Sequence, residues 1–174
     1  MHPLIARGIY WPTFGWNLLL GRVLKVRHWW DYVDDSVLLG ARPLRRDIRS
    51  LAEKHGVTGI VNMCEEFQGE QDLYKANGME QLWLPTTDFN PPTVEMISKG
   101  VEFIQSKVSA GGKVYVHCKA GRARSATVVI CWLVKYRGMS LDQAQQHLLQ
   151  CRPHVNAKLP KRTVVQEYCN QLTS

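Results

Sequence analysis

The feature that most constrains this chain is a nine-residue loop held between two apolar segments. Val114-Tyr115-Val116 is a short apolar run with the composition of a buried central strand, and Ala126 to Tyr136 is apolar almost all round, as a buried helix is. Between them stands His117-Cys118-Lys119-Ala120-Gly121-Arg122-Ala123-Arg124-Ser125. A strand that turns through a glycine-bearing loop into a buried helix points its backbone N–H groups at one spot, and the helix dipole adds positive charge there. Cys118, Lys119, Ala120, Gly121, Arg122, Ala123 and Arg124 thus read as a phosphate cradle.

Each residue type has a place in that chemistry. The positive field favours a Cys118 thiolate, the form that attacks phosphorus. Arg124 offers a bidentate fork to phosphoryl oxygens, and Gly121 allows the tight turn. Ser125 is placed to hydrogen-bond the sulfur and ease its departure. His117 is read as ordering the loop rather than transferring a proton. Lys119 and Arg122 either serve a second anionic group or are solvated loop charges. A departing alkoxide also needs a proton. Asp88, on the proline-bounded loop 85–92 after a strand, can supply it, because loops at the same ends of parallel strands share one cleft. A thiolate mechanism needs neither metal nor cofactor, and no His and carboxylate cluster suggests a metal site.

The rest of the chain fits an α/β domain with a mainly parallel sheet flanked by helices. Strands are expected at Val37–Gly40, Val57–Met63 and Leu82–Leu84, besides the central run. Helices are expected from Asp47 to His55, from Thr93 to the Gly111-Gly112 stop, after the Ser140–Gln143 capping box, and from Thr163 to Leu172. The chain has 174 residues, enough for one domain, and no apolar stretch reaches the ~18–20 residues of a spanning helix. Five cysteines at uneven gaps, without a Cys-x-x-Cys pair, argue against a disulfide scaffold or zinc ribbon and for a reducing compartment. Cys131 and Cys151 are expected to be buried.

Net charge is +7, and residues 1–30 carry four of those charges (Arg7, Arg22, Lys25, Arg27) without an acid. That leaves +3 on the other 144 residues, which argues against nucleic-acid binding along the body. Residues 1–30 are rich in aromatic side chains and read as a mitochondrial presequence, a surface-lying membrane anchor or an arm. Residues 31–174 read as the catalytic domain.

His117-Cys118-x5-Arg124-Ser125, with Asp88 thirty residues upstream, resembles the cysteine-dependent dual-specificity phosphatases. Tyr10-Trp11-Pro12-Thr13, Trp29-Trp30-Asp31, Val37–Pro43, Asn62 with Glu65-Glu66-Phe67, Thr87-Asp88 and Tyr115–Arg122 are similar to one subfamily, the mitochondrial phosphatases acting on phosphatidylglycerophosphate. The pattern departs at Lys161-Arg162-Thr163. The resemblance implies hydrolysis of the terminal phosphate to yield phosphatidylglycerol on the route to cardiolipin, an anionic phospholipid substrate, a membrane surface as partner, and association with the mitochondrial inner membrane. It implies Cys118 as nucleophile, Arg124 as phosphate and transition-state ligand, Asp88 as general acid, and Glu65 and Glu66 on a substrate-side loop. The protein is expected to be a monomer. The alternatives are a protein or phosphoinositide phosphatase in signalling and a catalytically dead phosphate-binding module. The intact Cys118, Arg124 and Asp88 disfavour the last. Rhodanese or arsenate-reductase chemistry has no need of an Asp on a separate loop.

Overall fold

The computed structural model describes residues 3–24 and 26–172, with side chains from residue 11 onward. Lys25 and the Arg7 side chain, two of the four N-terminal cations, lie outside the described residues. The elements run α1 (Pro3–Leu18), a π-helical turn (Leu19–Val23), β1 (Trp30–Tyr32), β2 (Val37–Gly40), α2 (Arg45–Glu53), β3 (Val57–Cys64), α3 (Gln71–Ala76), β4 (Glu80–Thr86), α4 (Val94–Ser109), β5 (Lys113–His117), α5 (Arg124–Arg137), α6 (Leu141–Cys151), a 3-10 turn (Leu159–Lys161) and α7 (Thr163–Gln171).

The five strands lie in the order β1-β2-β5-β3-β4, parallel except for β1, which pairs antiparallel with β2. The period of two in β5 divides the interior. Val114 and Val116 face α4–α7 across a large core, whereas Tyr115 faces the smaller core made with Ile48 and Leu51 of α2 and Tyr74 of α3. Packed between sheet and helices, α5 buries every residue from Arg124 to Leu133 and ends on Gly138 at a φ of +64°. Thr93 caps α4 by accepting the Met96 N–H at 3.2 Å, and Ser140 and Gln143 form the expected capping box. Buried in this way, Cys131 meets its expectation. Cys151 does not: it is only half-buried, its thiol 3.7 Å from the Val33 carbonyl at the protein's edge.

Two features depart from the sequence reading. β1 and α3 were not anticipated, being too short to show a period. Pro85 and Thr86, assigned to a loop, end β4 instead; β4 is an edge strand, where a residue without an N–H costs no ladder bond. Within residues 11–24 and 26–30, two aromatic side chains dock on the body, as the arm reading expects. Phe14 and Trp29 form a third apolar cluster with Ala41, and the Trp29 indole donates to the Arg42 carbonyl at 3.0 Å.

Candidate active site

The C-terminal ends of β2, β5, β3 and β4 (Gly40, His117, Cys64 and Thr86) lie on one side of the sheet, so the loops after them gather there. Gly121, at φ +65°, lets the loop after β5 press against the end of β2. A Cβ on it would stand 2.4 Å from the Gly40 carbonyl oxygen, so any side chain would push the loop out of place.

Cys118 sits at the floor, 4% exposed, where burial pushes its thiol up. The Arg124 guanidinium, the Ser125 hydroxyl at 3.2 Å and the backbone N–H groups of Ser125 and Arg122 outweigh that and bring it down to about 7. Near neutral pH a large share of Cys118 is therefore thiolate. The acid limb of kcat/KM should rise through about pH 7. Ser125→Ala removes one stabilising hydrogen bond and should move that limb to higher pH; alkylation of Cys118 by iodoacetamide as a function of pH measures it directly.

Arg124, in the first turn of α5, is 2% exposed and held from behind. Its Nη1 donates to the Thr86 carbonyl at 2.5 Å and to Glu66 at 3.0 Å. Its Nη2 lies 3.1 Å from Asp88 Oδ1 but makes no hydrogen bond, which leaves that N–H available to a phosphoryl oxygen. Asp88 also forms a short ion pair with Lys119, whose ammonium donates to Thr13 Oγ1 of α1 at 2.8 Å. Lys119 is thus neither a solvated charge nor a free cation: it is buried and joins the nucleophile's loop, the acid's loop and α1. Arg122 is exposed, its Nε donating to the His154 carbonyl at 2.8 Å.

Glu65 and Glu66 do not line the cleft. Glu65 accepts from the Thr87 hydroxyl at 2.7 Å. Glu66 accepts the Asp88 N–H at 3.1 Å while pairing with Arg124. They hold the acid's loop and the arginine in place. His117 is fully buried, and burial pushes it down to about 3, so it is uncharged at working pH. Its one hydrogen bond is long (Nδ1 to the Cys118 carbonyl, 3.4 Å), so it orders the loop mainly by packing between Phe67 and Tyr115.

Cys118, Lys119, Ala120, Arg122, Ala123, Arg124 and Asp88 line one open cleft of about 710 Å³. Thr13 of the Tyr10–Thr13 motif and Arg162 of the Lys161–Thr163 stretch also wall that cleft, together with Trp16, Arg27, Phe89 and Asn156, which no motif in the sequence marks. Among the described residues no cluster of three or more His, Cys, Asp or Glu could hold a metal ion.

A family of known proteins, described as "Dual specificity phosphatase, catalytic domain", matches residues 39–171. The chain belongs to the dual-specificity phosphatases. This phosphatase is 37% identical over 166 residues to the phosphatidylglycerophosphate phosphatase PTPMT2 of Arabidopsis thaliana, covering 94% of this chain and 72% of that one. It is 35% identical over 178 residues to the Homo sapiens protein named phosphatidylglycerophosphatase and protein-tyrosine phosphatase 1, covering 98% and 89%. A crystal structure of PTPMT1 in complex with PI(5)P superposes with a TM-score of 0.76 at 34% identity, over 84% of this chain and 97% of that chain. A structure of human DUSP28 superposes at 0.73 with 29% identity, over 84% and 97%. The dual-specificity phosphatase fold and a cysteine-based phosphatase activity follow.

Proposed function

We propose that this phosphatase hydrolyses the terminal phosphomonoester of phosphatidylglycerophosphate to phosphatidylglycerol and orthophosphate. The carrying observation is the cleft: a cysteine cradle at its floor, cations on its walls (Arg27, Arg122, Lys158, Arg162) and aromatic side chains at its mouth (Trp16, Phe89). A phosphate group attached to an anionic lipid fits all three. The substrate named for the plant and human relatives supports the same reading.

The reaction has two steps. The Cys118 thiolate attacks phosphorus in line, the P–O bond to glycerol breaks, and Asp88 delivers its proton to the departing oxygen, leaving a cysteinyl-phosphate. Asp88 then takes a proton from water as that water attacks phosphorus, and the S–P bond breaks with Ser125 stabilising the departing thiolate. Asp88 rests against Lys119 and Arg124, the cations a phosphate would take. Substrate binding thereby releases the acid.

The test is phosphate release from phosphatidylglycerophosphate, a phosphotyrosine peptide and a phosphoinositide, each beside a Cys118→Ser control. The highest kcat/KM is expected for phosphatidylglycerophosphate. A preference for the peptide would place the enzyme in protein signalling instead.

Membrane contact belongs to the same proposal, with an anionic lipid surface as the partner. Trp11, Trp16, Leu19, Val23, Leu24 and Val26 are exposed on α1 and the segment after it, on the element that walls the cleft, and Phe89 is exposed on the acid's loop. The acyl chains of a bound lipid must stay in the bilayer, so the mouth has to face it, and tryptophan beside cations suits that interface. No described helix is long and apolar enough to cross a membrane. Association with the mitochondrial inner membrane, a step toward cardiolipin and action as a monomer complete the proposal. The family resemblance and the basic N-terminus support the first two. Val23→Glu with Leu24→Glu should weaken binding to phosphatidylglycerol vesicles by roughly a hundredfold or more, each of the two lost apolar contacts being worth about 1.5 kcal/mol or more. Neither residue lines the cleft, so turnover of a soluble aryl phosphate should not change. Equal vesicle binding by the variant would place the contact elsewhere.

A further inference from the structure

Behind the phosphate cradle, on the side away from the cleft, lies a buried arginine that the reaction scheme does not use. Arg152, the residue that follows α6, is 1% exposed. Its Nε donates to the Gly121 carbonyl at 2.9 Å and its Nη2 to the Ala120 carbonyl at 3.1 Å. Its Nη1 donates to the His28 carbonyl at 3.3 Å and pairs with the carboxylate of Asp31 in β1. The carbonyls on either side are also held from outside the loop. The Arg42 N–H reaches the Lys119 carbonyl at 3.3 Å, and the Asn156 N–H reaches the Arg122 carbonyl at 2.8 Å. Four consecutive carbonyls, 119 to 122, are therefore drawn outward.

A trans peptide points its C=O and the following N–H to opposite sides. Drawing the carbonyls of 119–122 outward turns the N–H groups of 120–123 inward. One of them, Arg122 N–H, already hydrogen-bonds the Cys118 sulfur, and it belongs to the peptide whose carbonyl Arg152 Nε holds. Gly121, with its left-handed φ, has no side chain to fix those two peptides from its own position.

We propose that Arg152, anchored by Asp31, is a positioning residue for phosphoryl transfer: it clamps the Ala120 and Gly121 carbonyls so that the Gly121 and Arg122 N–H groups face the phosphate. Its place is structural, but its effect is on the transition state. The equatorial oxygens carry the most charge there, and amides aimed at them act without reorganising. Arg152 touches neither substrate nor sulfur and works through the two peptides. The inference rests on the phosphatase reading alone and holds for any phosphomonoester.

The test uses Arg152→Lys, which keeps the charge and Asp31's partner but cannot bridge two carbonyls, and the double variant Arg152→Met with Asp31→Leu, which leaves no buried charge unpaired. Turnover of a soluble aryl phosphate is measured for both at a temperature where thermal melts show them folded. Inhibition by orthovanadate, which takes the five-coordinate geometry of the transition state, is compared with inhibition by orthophosphate. Misaimed amides should lower kcat roughly ten- to hundredfold, short of the loss seen when an oxyanion donor is deleted outright. Vanadate affinity should fall in step with kcat, while KM and orthophosphate affinity change much less. A purely structural Arg152 would lower the melting temperature and leave those ratios alone. Folded variants with wild-type kcat and vanadate affinity would overturn the proposal. Loss of the phosphatase reading itself would show separately, as wild-type protein inert toward every phosphomonoester.

Discussion

Cys118→Ser is expected to abolish turnover, by at least ~10⁴-fold, while substrate and orthophosphate still bind. A serine hydroxyl is nearly the size of the thiol, so the cradle keeps its shape and its N–H donors. It cannot be ionised as the thiol is, because the field that brings Cys118 to about 7 falls far short of what a hydroxyl needs. Binding should persist because Arg124 and the loop amides, which hold the phosphate, are untouched. A phosphate-release assay paired with equilibrium binding of a lipid phosphate separates the two effects. Substantial activity in the serine variant would remove Cys118 from the reaction.

Asp88→Asn is expected to lower the rate for an alkyl phosphate by roughly 10²–10⁴, since the glycerol oxygen leaves poorly without a proton. An aryl phosphate with an acidic phenol leaves unaided and should be affected far less. That difference, with loss of the basic limb of the pH profile, marks Asp88 as the acid. The variant also leaves Lys119 without its carboxylate, so phosphate should bind at least as well as in the wild type. An alkyl-phosphate rate unchanged by the substitution would mean that another group supplies the proton.

The catalytic floor was legible in the sequence because its parts are contiguous. A strand, a nine-residue loop and a buried helix carry Cys118, Arg124 and Ser125 into place with no long-range information, and capping residues marked α4 and α6. Asp88 was reachable because parallel strand ends converge. The remaining site residues depend on contacts between distant segments. Nothing near Glu66 in the sequence shows that its carboxylate bridges the Asp88 N–H and Arg124. Lys119 could be read as solvated because nothing local shows that Asp88 and Thr13 reach its ammonium. Arg152 lies 28 residues past Arg124 in an ordinary Cys-Arg-Pro stretch, and only the fold brings it behind Ala120 and Gly121. Short elements such as β1 and α3 exist through tertiary pairing, not through a period of their own.

The bond from Lys119 to Thr13 has a consequence for how this chain can be shortened. Thr13, Trp16 and Asn17 supply part of the cleft, and Thr13 shares one ammonium with the proton donor's loop. A cut at residue 30 would therefore remove side chains that wall the cleft. Proteolytic trimming beyond Thr13, whether by a maturation protease or at the bench, would strip a wall from the reaction chamber. The trimmed protein would then be altered as a catalyst.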